Sequence, residues 1–290
     1  MTSIDGRAAI AAVRVPTGGL AHQLRAAAVV WQREMIRFSR DRARVLSSLV
    51  QPVLFLFVLG TGLSSIVGRA APGEVDFRTF LFPGVLATSV LFTAAFSGIS
   101  MVWDREFGFL REMLVAPVSS AAILTGKCVG GATVATLQSV VILALAPLVG
   151  VPYDLLMLVE LLGLLFLMAF MITALALVLA ARVKQVQAAM PMVQLIITPM
   201  MFLSGALFPL AHLPRWLEIA THINPMTYAV EPMRSVVFDH LDVNRLARAA
   251  FDPGITWGDW RVPIALEVAI VAASCVALLA LAVVRFARTE

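Results

Sequence analysis

The sequence predicts an all-α polytopic membrane protein with six transmembrane helices. Of its 290 residues, 60% are hydrophobic and only 14% are charged, whereas soluble domains carry about 25% charged residues. Several apolar runs reach the roughly 20 residues that a helix needs to cross a bilayer. These runs are continuous and do not alternate between polar and apolar residues, which argues against an outer-membrane barrel.

The six predicted spans account for most of the chain after residue 46. Their ranges are 47–68, 79–102, 120–149, 155–181, 188–209 and 262–284. Pro152 separates the third span from the fourth, and a polar turn at residues 182–185 separates the fourth from the fifth. Prolines also interrupt the fifth span, where each one removes a helix hydrogen bond. We therefore expect one six-helix transmembrane domain, residues 47–290, preceded by two N-terminal segments.

The N-terminal segments are a tail and an amphipathic helix. Residues 1–19 contain Pro and Gly and predict a flexible cytoplasmic tail, whereas residues 20–46 show helical periodicity. One face of that helix holds Leu24, Ala28, Trp31, Met35 and Phe38, and the opposite face holds Arg33, Arg37, Arg40 and Arg44. This pattern is typical of an interfacial helix whose arginines face anionic lipid headgroups. A solvated charged helix ahead of the first span is the alternative.

The distribution of Lys and Arg predicts the orientation of the chain. If the N-terminus is cytoplasmic, that side holds 15 of these residues and the other side holds 7. Because cytoplasmic loops carry the excess of positive charge, we expect both termini to be cytoplasmic and the protein to lie in the plasma or inner membrane. Trp257 and Trp260 then fall at the outer interface, where aromatic residues are common. We expect contact with membrane lipids and no nucleic-acid partner.

A charged segment, WDREFGFLREMLVAP, lies between the second and third spans. Its helical projection places Phe107, Leu110, Met113, Leu114 and Pro117 near one face. The opposite face holds Asp104, Arg105, Gly108, Arg111 and Glu112, with Glu106 at the border. Charged residues in this position must project into water, so residues 103–118, the coupling segment, predict a cytoplasmic docking helix for a partner protein. A merely solvated loop is the alternative.

The segment between the fifth and sixth spans, residues 210–260, predicts two half-apolar helices. Asn224 and Pro225 suit the start of the second helix, because Asn caps helices and Pro fits their first turn. Two such helices after a broken span predict a re-entrant hairpin in the outer leaflet, whose irregular backbone must be buried in protein. An external amphipathic cap is the alternative.

Several polar residues lie inside the predicted spans. They are Thr88, Ser89, Thr93, Ser97, Thr173, Gln194 and Thr198. Of these, Thr88, Thr93, Ser97, Gln194 and Thr198 are candidates for a substrate pathway, although hydroxyls and amides also join helices to one another. Glu160 and Glu267 lie near the outer ends of spans four and six, where they serve a function or simply reach water.

The remaining reactive residues indicate no chemistry of their own. Cys128 and Cys275 lie inside apolar runs, which predicts buried and inert thiols. His212 and His222 are too far apart in the chain for a typical metal motif, and a structural role is expected. Lys127 follows Gly126, but the chain lacks the other residues of a phosphate-binding loop. Lys127 is instead expected to reach the cytoplasmic interface or to pair with an acidic residue of the coupling segment.

Two blocks of the sequence resemble the signatures of type-two ABC exporter permeases. The first block matches at Glu106, Gly108, Leu110, Glu112, Leu114, Pro117, Val118, Ile123, Gly126 and Lys127. The second matches at Ser204, Gly205, Pro209, Leu213, Pro214, Trp216, Asn224, Pro225, Tyr228 and Arg234. Phe109 and Arg111 stand where the family often has other residues.

The resemblance implies six spans, an interfacial helix, a coupling helix at residues 103–118 and re-entrant helices before the last span. It also implies that two such subunits pair, as a homodimer or a heterodimer, above separate nucleotide-binding ATPase subunits. ATP and Mg would bind those partners, and this chain would hold no cofactor, no metal and no catalytic residue.

The function expected on this basis is that of the membrane-spanning subunit of an ATP-driven exporter. The expected substrate is an amphipathic small molecule such as a drug or antibiotic. A polysaccharide or lipid-linked glycan carried by the same machinery is the alternative. An ion-coupled secondary transporter is the less favoured class, since it would need charges at the bilayer midplane and related repeats.

Overall fold

The computed structural model describes residues 19–64, 77–109, 118–210, 213–241, 248, 251–258 and 260–288, and of residues 42, 44 and 45 only the backbone. Nine α-helices were assigned within these ranges. They are α1 (Leu20–Arg40), α2 (Arg42–Leu54), α3 (Phe77–Glu106), α4 (Ser120–Leu143), α5 (Leu155–Ala180), α6 (Val186–Phe202), α7 (Arg215–Ile223), α8 (Thr227–Asp239) and α9 (Ile264–Ala287). A two-stranded antiparallel hairpin, β1 (Thr256–Trp257) and β2 (Trp260–Arg261), precedes α9.

The all-α membrane architecture predicted from the sequence is confirmed. Five helical stretches in the described ranges are long and apolar enough to cross a bilayer: Leu46–Ser64, α3, α4, α5 and α9. The first of them joins α2 to a π-helical turn at Phe55–Leu59. The predicted fifth span corresponds to α6, which is a shorter apolar helix of 17 residues.

The predicted ends of two spans and of the N-terminal helix differ from the structure for local reasons. The third span was expected to run to residue 149, but α4 ends at Leu143, and Ala146–Val149 form a 3-10 turn that contains Pro147. The fifth ends at Phe202 because the chain turns through Gly205, whose φ is +71°. The expected single helix at 20–46 breaks at Asp41, which separates α1 from α2.

Helix α3 forms the centre of the bundle. Nearly all of its side chains from Phe77 to Leu91 are buried, and it packs on α4, α5 and α6. Helix α9 packs on α5 and α8, while α1 lies along α4. In contrast, only 17% of the Leu46–Ser64 span and 22% of the α9 span are buried. These two helices therefore present the apolar surface of the bundle.

Small residues allow the closest helix contacts, as is usual when helices pack inside a membrane. A Cβ atom on Gly126 of α4 would lie 2.5 Å from the carbonyl oxygen of Ala27 in α1. One turn later, a Cβ on Gly130 would lie 3.0 Å from the side chain of Glu34. The two glycines thus let the backbone of α1 approach α4, and this approach brings Glu34 to the buried lysine described below.

Candidate functional site

A buried lysine connects three helices at the end of the bundle that carries α1. Lys127 of α4 is 1% exposed. Its Nζ lies 2.6 Å from Asp104 Oδ2 in α3 and 3.1 Å from Glu34 Oε1 in α1, and it donates a hydrogen bond to Ser100 Oγ at 2.9 Å. Arg33 forms a second ion pair with Asp104. Two cations and two anions therefore balance one another in this Lys127 junction, formed by Arg33, Glu34, Asp104 and Lys127.

The position of Asp104 corrects one part of the sequence interpretation. Asp104 was expected on the water-facing side of a separate docking helix, but Trp103–Glu106 form the last turn of α3. The Asp104 side chain points into the bundle and is buried there by Lys127 and Arg33. Of the two expectations for Lys127, pairing with an acidic residue of the coupling segment is the one observed.

Arg105 and Glu106 bind the ends of two other helices. Arg105 Nη1 donates to the carbonyl oxygens of Ala181 and Val183, at 3.0 and 2.8 Å, just after α5 ends. Glu106 Oε2 accepts a hydrogen bond of 2.8 Å from the backbone N–H of Val186, the first residue of α6. A cation beside carbonyl groups and a carboxylate beside N–H groups both match the helix dipole. The start of the coupling segment is therefore fastened to α5 and α6.

The coupling segment leaves the bundle immediately after these contacts. Gly108 has a φ of +82°, a conformation that glycine adopts without strain and that ends the helix. Phe107 and Phe109 on either side of it are both exposed. The other predicted coupling residues, Arg111, Glu112 and Pro117, lie outside the described residues.

Helix α1 contacts the protein through part of the face that was expected to contact lipid headgroups. Besides the pair of Arg33 with Asp104, the guanidinium of Arg37 lies 5.1 Å from the ring centroid of Trp103. Arg40 lines, together with these residues, an open cleft of about 550 Å³. Trp31 is partly exposed, and its Nε1 donates to Thr133 Oγ1 at 3.1 Å. The side chain of Arg44 is outside the described atoms.

Two adjoining cavities lie between α2, α3 and α6, and residues of α1 and α4 also line the first of them. They have volumes of about 300 and 320 Å³ and share Ser47, Ser48, Thr93 and Phe96 in their walls. Four of the five predicted pathway residues line them: Thr93 and Ser97 the first, and Thr88, Thr93 and Gln194 the second. Thr198 does not line either cavity but receives a 3.1 Å hydrogen bond from Gln194 Nε2. We name the two cavities together the polar groove.

Sequence reasoning missed several residues of the polar groove. The polar groups of Ser47, Ser48 and Gln51 face it from α2, and Gln138 faces it from α4. A signal for the α2 residues was present, since Ser48 and Gln51 lie three residues apart and thus share one face of a helix in an otherwise apolar run. Gln138 carries no such signal, because the assignment depends on which neighbours surround α4.

The predicted re-entrant segment is anchored at the turn between α7 and α8. Asn224 Oδ1 accepts from the N–H of Met226, and its Nδ2 donates to the carbonyl oxygen of Met200 at 2.7 Å. The hydroxyl of Tyr228 donates to the carbonyl oxygen of His222 at 2.9 Å. The other predicted positions lie in the connections: Gly205 and Pro209 between α6 and α7, and Pro214 directly before α7. Pro225 lies two residues before α8, outside the first helical turn where it was predicted, because Met226 is the N-cap residue.

Helices α7 and α8 differ sharply in burial. Nearly all of α8 is buried, whereas α7 exposes Trp216, Ile219 and Ile223. The segment thus has one helix inside the protein and one on its surface. The re-entrant hairpin and the external amphipathic cap both stay predictions, because each is compatible with one buried and one exposed helix.

A second group of buried charges lies around α8. Arg234 is fully buried, and its Nη1 lies 2.8 Å from Glu231 Oε2. Its Nη2 donates to the carbonyl oxygen of Gly205, and its guanidinium lies 4.7 Å from the ring centroid of Phe80. Asp252 accepts from Ser235 at 3.1 Å. Together with Glu267 these residues form the Arg234 cluster, whose charged members are Glu231, Arg234, Asp252 and Glu267.

The two glutamates left open by the sequence have different environments. Glu160 is exposed. Glu267, in contrast, is 1% exposed, so the expectation that it simply reaches water does not hold. Both cysteines are buried and free, as the sequence predicted. Among the described residues no group of His, Cys, Asp or Glu side chains has the arrangement of a metal site.

The sequence of this chain is similar to a known protein family and to several known relatives. Residues 25–238 match the family model described as ABC-2 type transporter. The chain belongs to the ABC-2 type transporter family. It is 29% identical over 210 residues to the transport permease ycf38 of Cyanophora paradoxa, covering 71% of this chain and 72% of that protein. It is also 30% identical over 214 residues to nodulation protein J of Rhizobium leguminosarum bv. trifolii, covering 73% of this chain and 80% of that protein.

Family membership makes this chain a multi-pass transport permease, in agreement with the fold. The matched region includes α1, the end of α3, the polar groove and α8. Both groups of buried charges therefore have residues in the part of the chain that the family shares.

Proposed function

We propose that this ABC-2 permease is the membrane-spanning subunit of an ATP-driven exporter in the plasma or inner membrane. A separate ATPase subunit would bind the coupling segment on the cytoplasmic side. The permease would pair with a second permease subunit, and both termini would be cytoplasmic. ATP and Mg would bind the ATPase, so the chemistry of ATP hydrolysis would lie outside this chain.

The observation that carries the proposal is the attachment of Arg105 and Glu106 to α5 and α6. Any force on Phe107–Phe109 passes first to the last turn of α3, where these two side chains hold the neighbouring helix ends. Helix α6 contributes Met190 and Gln194 to the walls of the polar groove. A movement of the docked ATPase would therefore change the shape of the groove through the short hydrogen-bonded connection that Arg105 and Glu106 form.

The composition of the groove supports an amphipathic substrate. Hydroxyl and amide groups line it alongside the rings of Phe55, Phe92 and Phe96. Ligand sites in proteins commonly combine apolar surface with a few polar groups that fix orientation. A molecule with both characters, such as a drug or antibiotic, would satisfy both kinds of surface.

A glycan substrate is the second candidate, and the same hydroxyls and amides favour it. Neutral hydrogen-bonding groups suit sugar hydroxyls, and phenylalanine rings suit the apolar faces of sugar rings. The two candidates differ in the size of the carried molecule relative to the groove.

The energy source can be tested in proteoliposomes that contain this permease and its partner ATPase. We expect export to require ATP and to stop when the ATPase is omitted. Export that persists without the ATPase and depends on an ion gradient would contradict the proposal. Transport of an amphipathic dye and of a lipid-linked oligosaccharide in the same vesicles would distinguish the two substrate classes.

The docking surface can be tested with exposed aromatic residues of equal accessibility. Phe107 and Trp216 are both 69% exposed, but Trp216 lies on α7 at the opposite end of the bundle. We expect Phe107→Ala to weaken ATPase binding in a pull-down with purified subunits and Trp216→Ala to leave it unchanged. Equal binding by both variants would remove the docking role of this surface.

The connection itself can be tested at Glu106. Glu106→Lys places a cation against the N-terminus of α6, which disfavours that contact. We expect this variant to hydrolyse ATP with less export per ATP, whereas Glu106→Gln, which still accepts the Val186 hydrogen bond, retains more. Wild-type export per ATP in Glu106→Lys would refute the mechanical role of this contact.

A further inference from the structure

Two cavities adjoin at the Lys127 junction. One is the first cavity of the polar groove, with a volume of about 300 Å³. The other is the open cleft of about 550 Å³, which we name the Arg40 cleft after the arginine that lines it without lining the groove. Arg37 and Asp41 line both of them. The side chains of these two residues therefore stand between the groove and the cleft.

The members of the junction are divided between the two cavities. Glu34 lines the groove, whereas Arg33 and Asp104 line the cleft. Lys127 joins the two sides, because its Nζ lies 3.1 Å from Glu34 Oε1 and 2.6 Å from Asp104 Oδ2. Its third contact, Ser100 Oγ, also belongs to the groove wall. The junction is thus part of the partition between the groove and the cleft.

Side-chain contacts are what join α1 to α3 in this partition. Helix α1 packs along α4, where Gly126 allows a close approach, but its backbone does not pack closely on α3 within the described ranges. Arg33 pairs with Asp104, and the guanidinium of Arg37 lies 5.1 Å from the ring centroid of Trp103. The Arg33 side chain is 39% exposed, so water can hydrate it when it leaves Asp104. The contacts between α1 and α3 can therefore separate and re-form.

The end of α3 also carries the contacts through which the proposed function transmits force. Asp104 lies in the same helical turn as Arg105 and Glu106. Phe107, the proposed contact of the ATPase, lines the Arg40 cleft. A displacement of this turn would move Asp104 relative to its two cationic partners and thereby act directly on the partition.

We propose that the Lys127 junction is a latch at the cytoplasmic end of the polar groove. In the closed state of this structure, α1 is held against the end of α3, and the groove is separated from the Arg40 cleft. In the open state α1 moves away from α3, and a molecule passes between them from the cleft into the groove. Arg37 and Asp41 are the residues that it passes.

The pairing within the junction allows this movement without leaving a buried charge unpaired. Glu34 lies 3.5 Å from Arg33 on the same helix, so this pair stays together when α1 moves. Asp104 then keeps Lys127, which lies on α4 and not on α1. Each acid retains one cation in the open state, and the large cost of an uncompensated buried charge is avoided.

This inference rests on the proposed function in one respect: the docked ATPase would supply the force that opens the latch. The latch can nevertheless be tested in the permease alone. Two states that differ little in free energy exchange without an external force, so the open state is sampled before any ATPase binds.

The test measures how fast a thiol reagent reaches the groove from each side of the membrane. Ser97→Cys places the reporter in the wall of the first cavity, and the chain without this change gives the background of the two buried native thiols. The full-length permease is labelled without its ATPase, in inverted and in right-side-out membrane vesicles. Two membrane-impermeant methanethiosulfonates are compared, one carrying a trimethylammonium group and the other a sulfonate group.

The latch variant is Arg33→Gln, and the matched control is Arg40→Gln, which removes the same charge from the cleft but lies outside the junction. We expect Arg33→Gln to raise the labelling rate of both reagents about tenfold in inverted vesicles, the factor that the loss of a hydrogen bond to a charged group produces. Arg40→Gln should change these rates little. Opposite changes with the two reagents would indicate an electrostatic effect and overturn the latch, as would equal rates in the two variants.

A second variant guards against a loss of folding in Arg33→Gln. Arg37→Gln removes the contact with the ring of Trp103 and is expected to raise labelling about threefold, as suits a partly exposed cation–π contact. Unchanged labelling in both variants, in both kinds of vesicle, would overturn the latch. A rise confined to right-side-out vesicles would refute the proposed orientation of the chain while the latch stands. A rise in inverted vesicles together with export that needs no ATPase would refute the proposed function alone.

Discussion

The Lys127 junction and the Arg234 cluster are both groups of buried charges, but they are built differently. In the Lys127 junction two cations face two anions, and each anion contacts both cations. In the Arg234 cluster one fully buried cation, Arg234, lies beside three buried acids, Glu231, Asp252 and Glu267. Arg248 approaches Asp252 only from a partly exposed position, at 3.5 Å.

The two groups lie at opposite ends of α3. Phe80, which contacts Arg234, and Asp104 are 24 residues apart in that helix, or about 36 Å at 1.5 Å per residue. This distance exceeds the roughly 30 Å thickness of the hydrocarbon core. Each group therefore lies near one membrane surface, where burial of charge is less costly than at the midplane.

The comparison teaches that balance and redundancy decide how a buried charge group responds to change. An ion in the Lys127 junction that loses one partner keeps a second. Among the described residues, Arg234 is the cation that pairs with Glu231, whose other carboxylate oxygen accepts a hydrogen bond from the backbone N–H of Gly254. The loss of one cation should thus have a larger effect near α8 than near α1.

The largest effect is expected for Arg234→Met. Removing the cation leaves the buried Glu231 carboxylate uncompensated, which costs about 3–5 kcal/mol of folding free energy. Thermal unfolding of the purified permease in detergent measures the loss. The double variant Glu231→Gln with Arg234→Met should recover most of it, and Arg215→Met on the exposed face of α7 serves as the neutral control. A small effect of Arg234→Met would contradict the unbalanced description of the cluster.

A smaller loss is expected for Lys127→Met. Its contacts with Asp104, Glu34 and Ser100 disappear, but Arg33 continues to neutralise Asp104 and lies 3.5 Å from Glu34. The loss should be about 2–3 kcal/mol, in the range of hydrogen bonds to charged groups. The same unfolding assay measures it. A larger loss of stability in Lys127→Met than in Arg234→Met would contradict the described difference between the two groups.

The packing of α1 provides the next test. Gly126→Ala introduces a Cβ that meets the backbone of Ala27, so α1 must shift, at a cost of about 1–3 kcal/mol. Gly163→Ala in α5 is the matched control, because no atom lies within 4 Å of a Cβ at that position. Limited proteolysis within α1 should become faster in Gly126→Ala alone. Identical proteolysis of the two variants would show that α1 tolerates the displacement.

Neutralising one acid should have opposite effects in the two groups. Glu267→Gln removes a buried acid from the Arg234 cluster, where burial beside other acids is unfavourable, and should raise stability by about 1 kcal/mol. Asp104→Asn upsets the balance of the Lys127 junction and should lower it by about 1–2 kcal/mol. Both changes are measured by thermal unfolding at neutral pH. If both variants change the unfolding temperature in the same direction, charge balance does not distinguish the two groups.

The smallest effect concerns Asp154, which caps α5 beside the Arg234 end of the bundle. Its carboxylate accepts from the N–H groups of Met157 and Leu156, and these hydrogen bonds lower the pKa of Asp154. A lowered pKa stabilises the fold above the unfolded value of about 4, and this stabilisation disappears as pH falls through the folded value. Wild type should thus melt above Asp154→Asn at pH 7, and the difference should disappear as pH falls below the lowered pKa of the folded state. A difference in melting temperature that persists in acid would mean that the shape of the Asp154 side chain, and not its charge, stabilises the fold.

Much of the architecture followed from the sequence because a bilayer imposes simple rules. Length and hydropathy located the spans, and the break of the fifth span near Gly205 agreed with its prolines and glycine. Arg105 and Glu106 were also recognised as residues of interest. Their contacts with α5 and α6 were not predicted, because nothing in the sequence indicates which helix ends meet at the end of α3.

The largest errors concerned the direction of charged side chains. Asp104 and Arg33 were both expected to face water or lipid, and instead they face each other. Helical projection identifies which residues share a face, but it cannot identify what covers that face. Glycine at 126 and 130 allowed α1 to approach α4, and only this approach turned an apparent surface arginine into the partner of a buried aspartate.

The sequence alone determined that this chain is a multi-span helical membrane protein and that the segment after α3 must leave the membrane, because charged residues cannot remain in hydrocarbon. The resemblance of its two signature blocks, confirmed by the family match, determined the class of transporter. Tertiary structure decided which charges pair and which hydroxyls and amides line one groove. These features depend on contacts between helices distant in the chain, and neither spacing nor composition records such contacts.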